Sequence, residues 1–162
     1  MARGITMGSF ALDDVDRRIL KEIIREGGVN LSDIASAIGV SKSTVHNRLK
    51  RMRDNNYLMG FFPLINSASL NRQVTAISLI RAKHGPEYAE ELGKEIARIK
   101  GTWGVYFVMG QQDFVVLIRA RSRNELSRIV NRLAKLKGVE RSNTIMVLDI
   151  LKEDPREAIR LD

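Results

Sequence analysis

Through the first third of the chain apolar residues return every three or four positions, and through most of the remainder they crowd into short blocks separated by two further helical stretches. Leu12, Val15, Ile19, Leu20, Ile23 and Ile24 predict a helix over about 13–26, which Gly27 and Gly28 end. Leu31, Ile34, Ala35 and Ile38 form the stripe of a second helix. Gly39 then permits a tight turn, and Val45, Leu49 and Met52 stripe a third. Asn30 is placed to cap the second helix, with Asp33 in its opening turn, and Ser41 to cap the third. These three helices predict a first domain over 12–58, preceded by a flexible lead over 1–11 in which Met7 is an alternative start. The aromatic run 57–66 contains Pro63, which disfavours helix before it, so 57–66 is expected to be extended. With it, 59–72 reads as a strand and hinge between two domains.

The remaining pattern predicts strand 73–83, helix 86–100, strands 102–109 and 113–120, helix 122–136 and strand 139–151. This βαββαβ order is ferredoxin-like, and it gives an α+β protein: a winged-type helix-turn-helix followed by a βαββαβ domain over 73–152, then a tail over 153–162. Ser122 and Glu125 form a capping box ahead of Leu126, Ile129, Val130, Leu133 and Leu136. Tyr88, Leu92, Ile96 and Ile99 stripe the other helix. Both helices should lie on one side of the sheet. Yet the blocks 105–109, 114–118 and 145–148 are apolar at both alternating sets of positions, as in strands covered on both faces. A second copy of the chain, packed on the open side as a two-fold dimer, would cover the second face. A charge placed at Val116 or Val147 is expected to break that pairing. Trp103 and Tyr106 belong to strand packing at the same interface.

Charge adds a location to this picture. The 162 residues carry a net charge of +8, spread over both parts: ten bases and seven acids in 1–60, seventeen and twelve in 61–162. Between 40 and 53, however, stand Lys42, Arg48, Lys50, Arg51 and Arg53 with no acid. A basic run alone is most often a solvated helix face. On the second helix of a capped, glycine-turned pair it predicts a helix that enters the major groove of double-stranded DNA. The start of that helix points at base edges, so Lys42, Ser43, Thr44, His46 and Asn47 are the expected readers, with Arg48, Lys50 and Arg51 as phosphate clamps. Asparagine can bind adenine with two hydrogen bonds, and a threonine methyl can touch thymine.

With no cysteine and with His46 and His84 far apart, neither disulfides nor a metal site is expected. No apolar run approaches the roughly 20 residues that span a bilayer, and a cytoplasmic, nucleoid-associated protein is expected. An enzyme is disfavoured: no histidine stands near a plausible serine nucleophile, no carboxylate pair stands out, and no glycine-rich phosphate loop follows a strand. An architectural DNA-binding protein without a ligand is the alternative left open.

The residues Leu12-Asp-Asp-Val-Asp-Arg-Arg-Ile-Leu20, Val40-Ser-Lys-Ser-Thr-Val45 with Arg48, Gly60, Asn66 and Gly110-Gln-Gln-Asp113 resemble the Lrp/AsnC, or feast/famine, family of transcription regulators in its archaeal form. The resemblance runs from Leu12 to Glu153. It implies dimers that assemble further, commonly to octamers, and that bind or bend promoter DNA. It also implies a small amino acid bound at subunit contacts of the second domain, at a site including Gly110, Asp113, Ser142 and Thr144, with Tyr88 a weaker member. The chemistry of these residues agrees: Asp113 can pair with an α-ammonium, and the two hydroxyls can bind a carboxylate or amide. The bland alternatives are that 110–113 is only a turn and Tyr88 only a core residue. Many members carry an aromatic just before the aspartate. Gln111-Gln112 here turns the expected preference toward a polar amino acid such as glutamine.

Overall fold

The computed structural model describes residues 11–63, 65, 74–83 and 86–161, of which 86 and 87 are described by backbone alone. The lead over 1–10, and the linker from 66 to 73, lie outside the described residues. The chain divides into two compact units, one holding residues 66–151 and the other the segment up to residue 65 together with 152–162. The polar stretch 153–162, expected as a tail, thus groups with the helical unit and contains a 3₁₀ turn, Pro155–Ala158.

The helical unit contains α1 (Asp14–Glu26), α2 (Leu31–Ile38) and α3 (Lys42–Asp54). Local chemistry sets each boundary. Asp13 accepts the amide of Asp16 while the Asp16 side chain accepts the amide of Asp13, a reciprocal cap on α1. Asn30 Oδ1 accepts from Ser32 N at 3.0 Å to open α2, and Ser41 Oγ accepts from Thr44 N at 3.0 Å to open α3. Gly39 closes α2 with φ of 73°, a left-handed conformation that glycine adopts without steric cost. The three apolar stripes meet in one core of Ile19, Ile23, Ile34, Ala35, Ile38, Val45, Leu49 and Met52.

The strand expected over 57–66 does not form over 57–63. The Tyr57 and Leu58 amides turn back to the Met52 carbonyl at 2.9 and 3.2 Å, and the guanidinium of Arg53 lies over the Phe61 ring, 5.2 Å from its centroid. A strand needs a ladder partner, and among the described residues this segment has none.

The second unit is β1 (Val74–Ala82), α4 (Pro86–Ala97), β2 (Thr102–Phe107), β3 (Phe114–Ala120), α5 (Arg123–Ala134) and β4 (Val139–Met146), the expected βαββαβ order. The sheet runs β2-β3-β1-β4, antiparallel throughout. Both outer strands stop earlier than the apolar pattern suggested. β4 ends at Met146, with Val147 N donating once more to Thr75 O at 2.9 Å, and Leu148 and Leu151 beyond it are 94% and 93% exposed.

Strand alternation sorts the faces. Ala76, Ser78, Ile80, Phe114, Val116, Ile118 and Ala120 are buried beneath α4 and α5 against Leu92, Ile96, Ile129 and Leu133. Val116 belongs to this covered face, which corrects its expected place on the open one; β3 is apolar at every position from Phe114 to Ile118, so composition could not tell its two faces apart. The open face is apolar as well. Ile77 sits between Leu117 and Ile145, and Leu79 between Val115 and Asn143, with Tyr106 beside Val115. These residues are half-buried or exposed in the single chain.

Candidate functional site

Helix α3 carries two chemistries on two faces. Lys42, His46, Lys50 and Arg53 follow one another at intervals of four, four and three residues, and all are exposed, as are Ser43 and Asn47 beside them. Opposite them Val45, Leu49 and Met52 enter the core. The Ser41 hydroxyl gathers the start of the helix, lying 2.8 Å from both Ser43 Oγ and Thr44 Oγ1. Thr44 is half-buried and its hydroxyl is engaged in this cap. Lys42, Ser43, His46 and Asn47 form an open polar surface, with Lys50 one turn further on.

Arg48 and Arg51 are placed differently. Arg48 Nη1 is paired with Asp13 Oδ2 and lies 3.3 Å from Asp16 Oδ1; Arg51 Nη2 lies 2.5 Å from Asp16 Oδ2 and 3.4 Å from Asp13 Oδ2. The side chain of Asp16 is fully buried. Two carboxylates thus neutralise two guanidiniums between α1 and α3. The amide of Asp16 and then the Arg48 guanidinium hold the Asp13 carboxyl well below its ordinary 3.8, at about 2. Arg18 adds a further tie, donating from Nη2 to the carbonyl of Ile38 at 2.9 Å.

The sequence held a signal for this cluster. Asp13 and Asp16 stand three apart on one helix, and Arg48 and Arg51 three apart on another, a spacing that puts each pair on one face. Arg53 was also legible: a cation continuing the exposed line, outside the set of readers and clamps expected from sequence.

In the sheet unit, Asp113 seals one end of the central strands. Its amide donates to Ile80 O at 2.8 Å, its carbonyl accepts from Val108 N at 2.8 Å, and its Oδ2 accepts from Ala82 N at 2.8 Å. Gly110, exposed in the preceding loop, has φ of 153° and open space around its Cα. Ser142 pairs with Ile80 from the other side of β1, so Asp113 and Ser142 flank the same strand end. Thr144 lies two residues further along and donates to the buried hydroxyl of Ser78 at 3.0 Å. Tyr88, on α4, packs over Gly138, where a Cβ would collide with its ring. The structure therefore gathers Gly110, Asp113, Ser142 and Tyr88 toward one end of the sheet, and commits the Thr144 hydroxyl within the chain. A groove of about 400 Å³ between α4 and β2, lined by Ala89, Gly93, Val105, Phe107 and Phe114 among others, includes none of the five.

Among the described residues no cluster of three or more His, Cys, Asp or Glu could hold a metal ion, and no helix is long and apolar enough to cross a membrane.

Two family models match the chain. Residues 12–59 match a winged helix-turn-helix DNA-binding domain, and residues 75–157 an Lrp/AsnC ligand binding domain. An uncharacterized HTH-type transcriptional regulator of Pyrococcus furiosus is 35% identical over 145 residues, which is 90% of this chain and 97% of that protein. The HTH-type transcriptional regulator FL11 of the same organism is 32% identical over 142 residues, 88% of this chain and 93% of its own. Among solved structures, a transcriptional regulator of Neisseria meningitidis in complex with L-Met shares the fold, with a TM-score of 0.77 at 19% identity over 89% of this chain and 94% of that one.

Proposed function

The chain belongs to the Lrp/AsnC family of DNA-binding transcription regulators, and from that premise we propose that it recognises particular promoter sequences and that a small amino acid modulates its assembly or its affinity for DNA. Its relatives are regulators and not enzymes, and it is one of them. The observation that carries the DNA reading is the exposed, acid-free line of Lys42, His46, Lys50 and Arg53 beside Ser43 and Asn47 on a capped second helix. Lys42, Ser43, His46 and Asn47 read base edges, and Thr44 offers its methyl group. Lys50 and Arg53 hold phosphates. Arg48 and Arg51 are assigned to holding α3 against α1, because each already faces a carboxylate.

The half-buried apolar face around Ile77, Leu79, Val115 and Leu117 supports a homodimer formed by a second copy packed over it, from which larger assemblies such as octamers are built. The amino-acid effector binds at subunit contacts near Gly110, Asp113 and Ser142, with Thr144 and Tyr88 lending shape. The ligand-binding family model supports this, and the Neisseria regulator bears L-Met. Gln111 and Gln112 favour a polar ligand such as glutamine. The working place is the cytoplasm, on the nucleoid.

Selection of binding sites from random duplex DNA tests the first part. A regulator enriches one sequence and holds it roughly 10³-fold or more tighter than random DNA. Equal affinity for all sequences would make it an architectural binder instead. A thermal scan of wild type and Asp113→Ala against the twenty amino acids tests the second. One or a few ligands should raise the melting temperature of the wild type alone, and no shift with any of them would remove amino-acid control.

A further inference from the structure

Helix α5 and its flanks carry an unusual distribution of charge. From Arg121 to Lys137 there are six bases and a single acid, Glu125. That acid is taken: Arg121 Nε lies 3.1 Å from Glu125 Oε2 and its Nη2 3.1 Å from Oε1, which holds the Glu125 carboxyl at about 2. Arg123, Arg128, Arg132, Lys135 and Lys137 remain, all exposed, with Arg128 adding its field to that of Arg121 on the same carboxylate.

The helix turns Ile129 and Leu133 into the core. On the opposite side Asn124, Arg128, Asn131 and Lys135 succeed one another at four, three and four residues, with Arg132 beside Arg128. Guanidinium, ammonium and amide groups thus line one face with no carboxylate among them. The neighbouring helix shows the contrast. On α4 the balance is reversed, acids outnumber the one base, and Lys94 Nζ lies 3.1 Å from Glu90 and 3.0 Å from Glu91.

A one-signed row of forked donors and amides fits an array of phosphates rather than a single small anion. We propose that the outer face of α5 is a second phosphate-binding surface, which grips the backbone of duplex DNA outside the stretch read by α3. The partner is inferred from charge complementarity and from the reading of this chain as a DNA-binding protein, on which the proposal rests. Contacts of this kind carry no sequence preference. They lengthen the footprint and make affinity depend on duplex length.

The test compares the full chain with the triple variant Arg128→Gln, Arg132→Gln, Lys135→Gln, whose three positions are exposed. Affinity is measured against salt on a duplex of about 20 base pairs, two major-groove half-sites long, and on one about three times that length. Each phosphate contact steepens the salt dependence by about 0.9 in log–log slope. The wild type should show a slope steeper by about 2–3 on the long duplex than on the short one, and the variant should lose that increment while binding the short duplex as the wild type does. Identical slopes for wild type and variant on the long duplex would overturn the proposal. So would a variant whose molar mass falls in light scattering while its slope stays, because the basic face would then serve a neighbouring copy. A wild type that binds neither duplex would defeat the DNA reading itself, and the proposal with it.

Discussion

The carboxylate of Asp16, with no exposure to solvent, lies 2.5 Å from the guanidinium of Arg51, so the helix that opens the unit is joined by charge to the helix that carries the exposed basic line. A buried carboxylate is tolerated only when its hydrogen bonds are met, and here Arg51, Arg48 and the amide of Asp13 meet them.

Replacing Asp16 by Ala should therefore take from Arg51 its 2.5 Å carboxylate partner at the edge of the core, while Arg48 keeps Asp13. Loss of one partner from a fully buried pair costs about 3–5 kcal/mol, and because Arg51 can still turn to water the expected loss is about 1–3 kcal/mol. Urea melts of wild type and variant measure it. A loss below about 0.5 kcal/mol would mean the cluster behaves as a surface ion pair.

The same cluster sets an acid response. The carboxyl of Asp13 titrates at about 2 in the folded chain against an ordinary 3.8, lowered by the Asp16 amide and then by Arg48. A depressed carboxyl contributes stability above its ordinary value and loses it as pH falls toward the folded one. The wild type should accordingly exceed Asp13→Asn in melting temperature near neutrality, and the gap should close between about pH 4 and 2. Asparagine keeps the helix cap, so the comparison isolates the charge. A gap that stays constant over that range would assign the effect to something other than this titration.

On α3, Asn47 and Lys50 are neighbours on the exposed face, and the proposed function gives them different duties. Asn47→Ala should cost about 1–3 kcal/mol on the preferred sequence and little on random DNA, relaxing base preference. Lys50→Ala should weaken every sequence alike and reduce the salt slope by about 1. Fluorescence anisotropy with a selected and a random duplex separates the two. If both variants lose equally on both duplexes, Asn47 is not a reader.

What could be read from sequence follows from how local the physics is. The helices of the first unit were legible because apolar spacing, caps at Asn30 and Ser41, and the turn at Gly39 all act within a few residues. The order of strands and helices in the sheet unit was legible for the same reason. The duties of Arg48 and Arg51 were misread, since their partners lie more than thirty positions away and only the matching three-residue spacing of the two pairs hinted at them. The strand expected over 57–66 does not form over 57–63 because extended propensity does not supply a ladder partner. The residues expected to hold an effector stand between these cases: Asp113 and Ser142 flank one strand end from opposite sides of β1, but the spacing could not reveal that the Thr144 hydroxyl donates to Ser78.

The two faces of the sheet allow a last separation. Ile77 points to the open face between Leu117 and Ile145, whereas Val116 on the adjacent strand is fully buried beneath the helices. If a second copy covers the open face, Ile77→Lys should leave a folded chain whose mass in light scattering falls, because the charge must be desolvated only on association. Val116→Lys should instead abolish cooperative unfolding, since a lysine there has no route to water and no acid to meet it. A folded Ile77→Lys chain of unchanged mass would show that the apolar face is not the subunit contact.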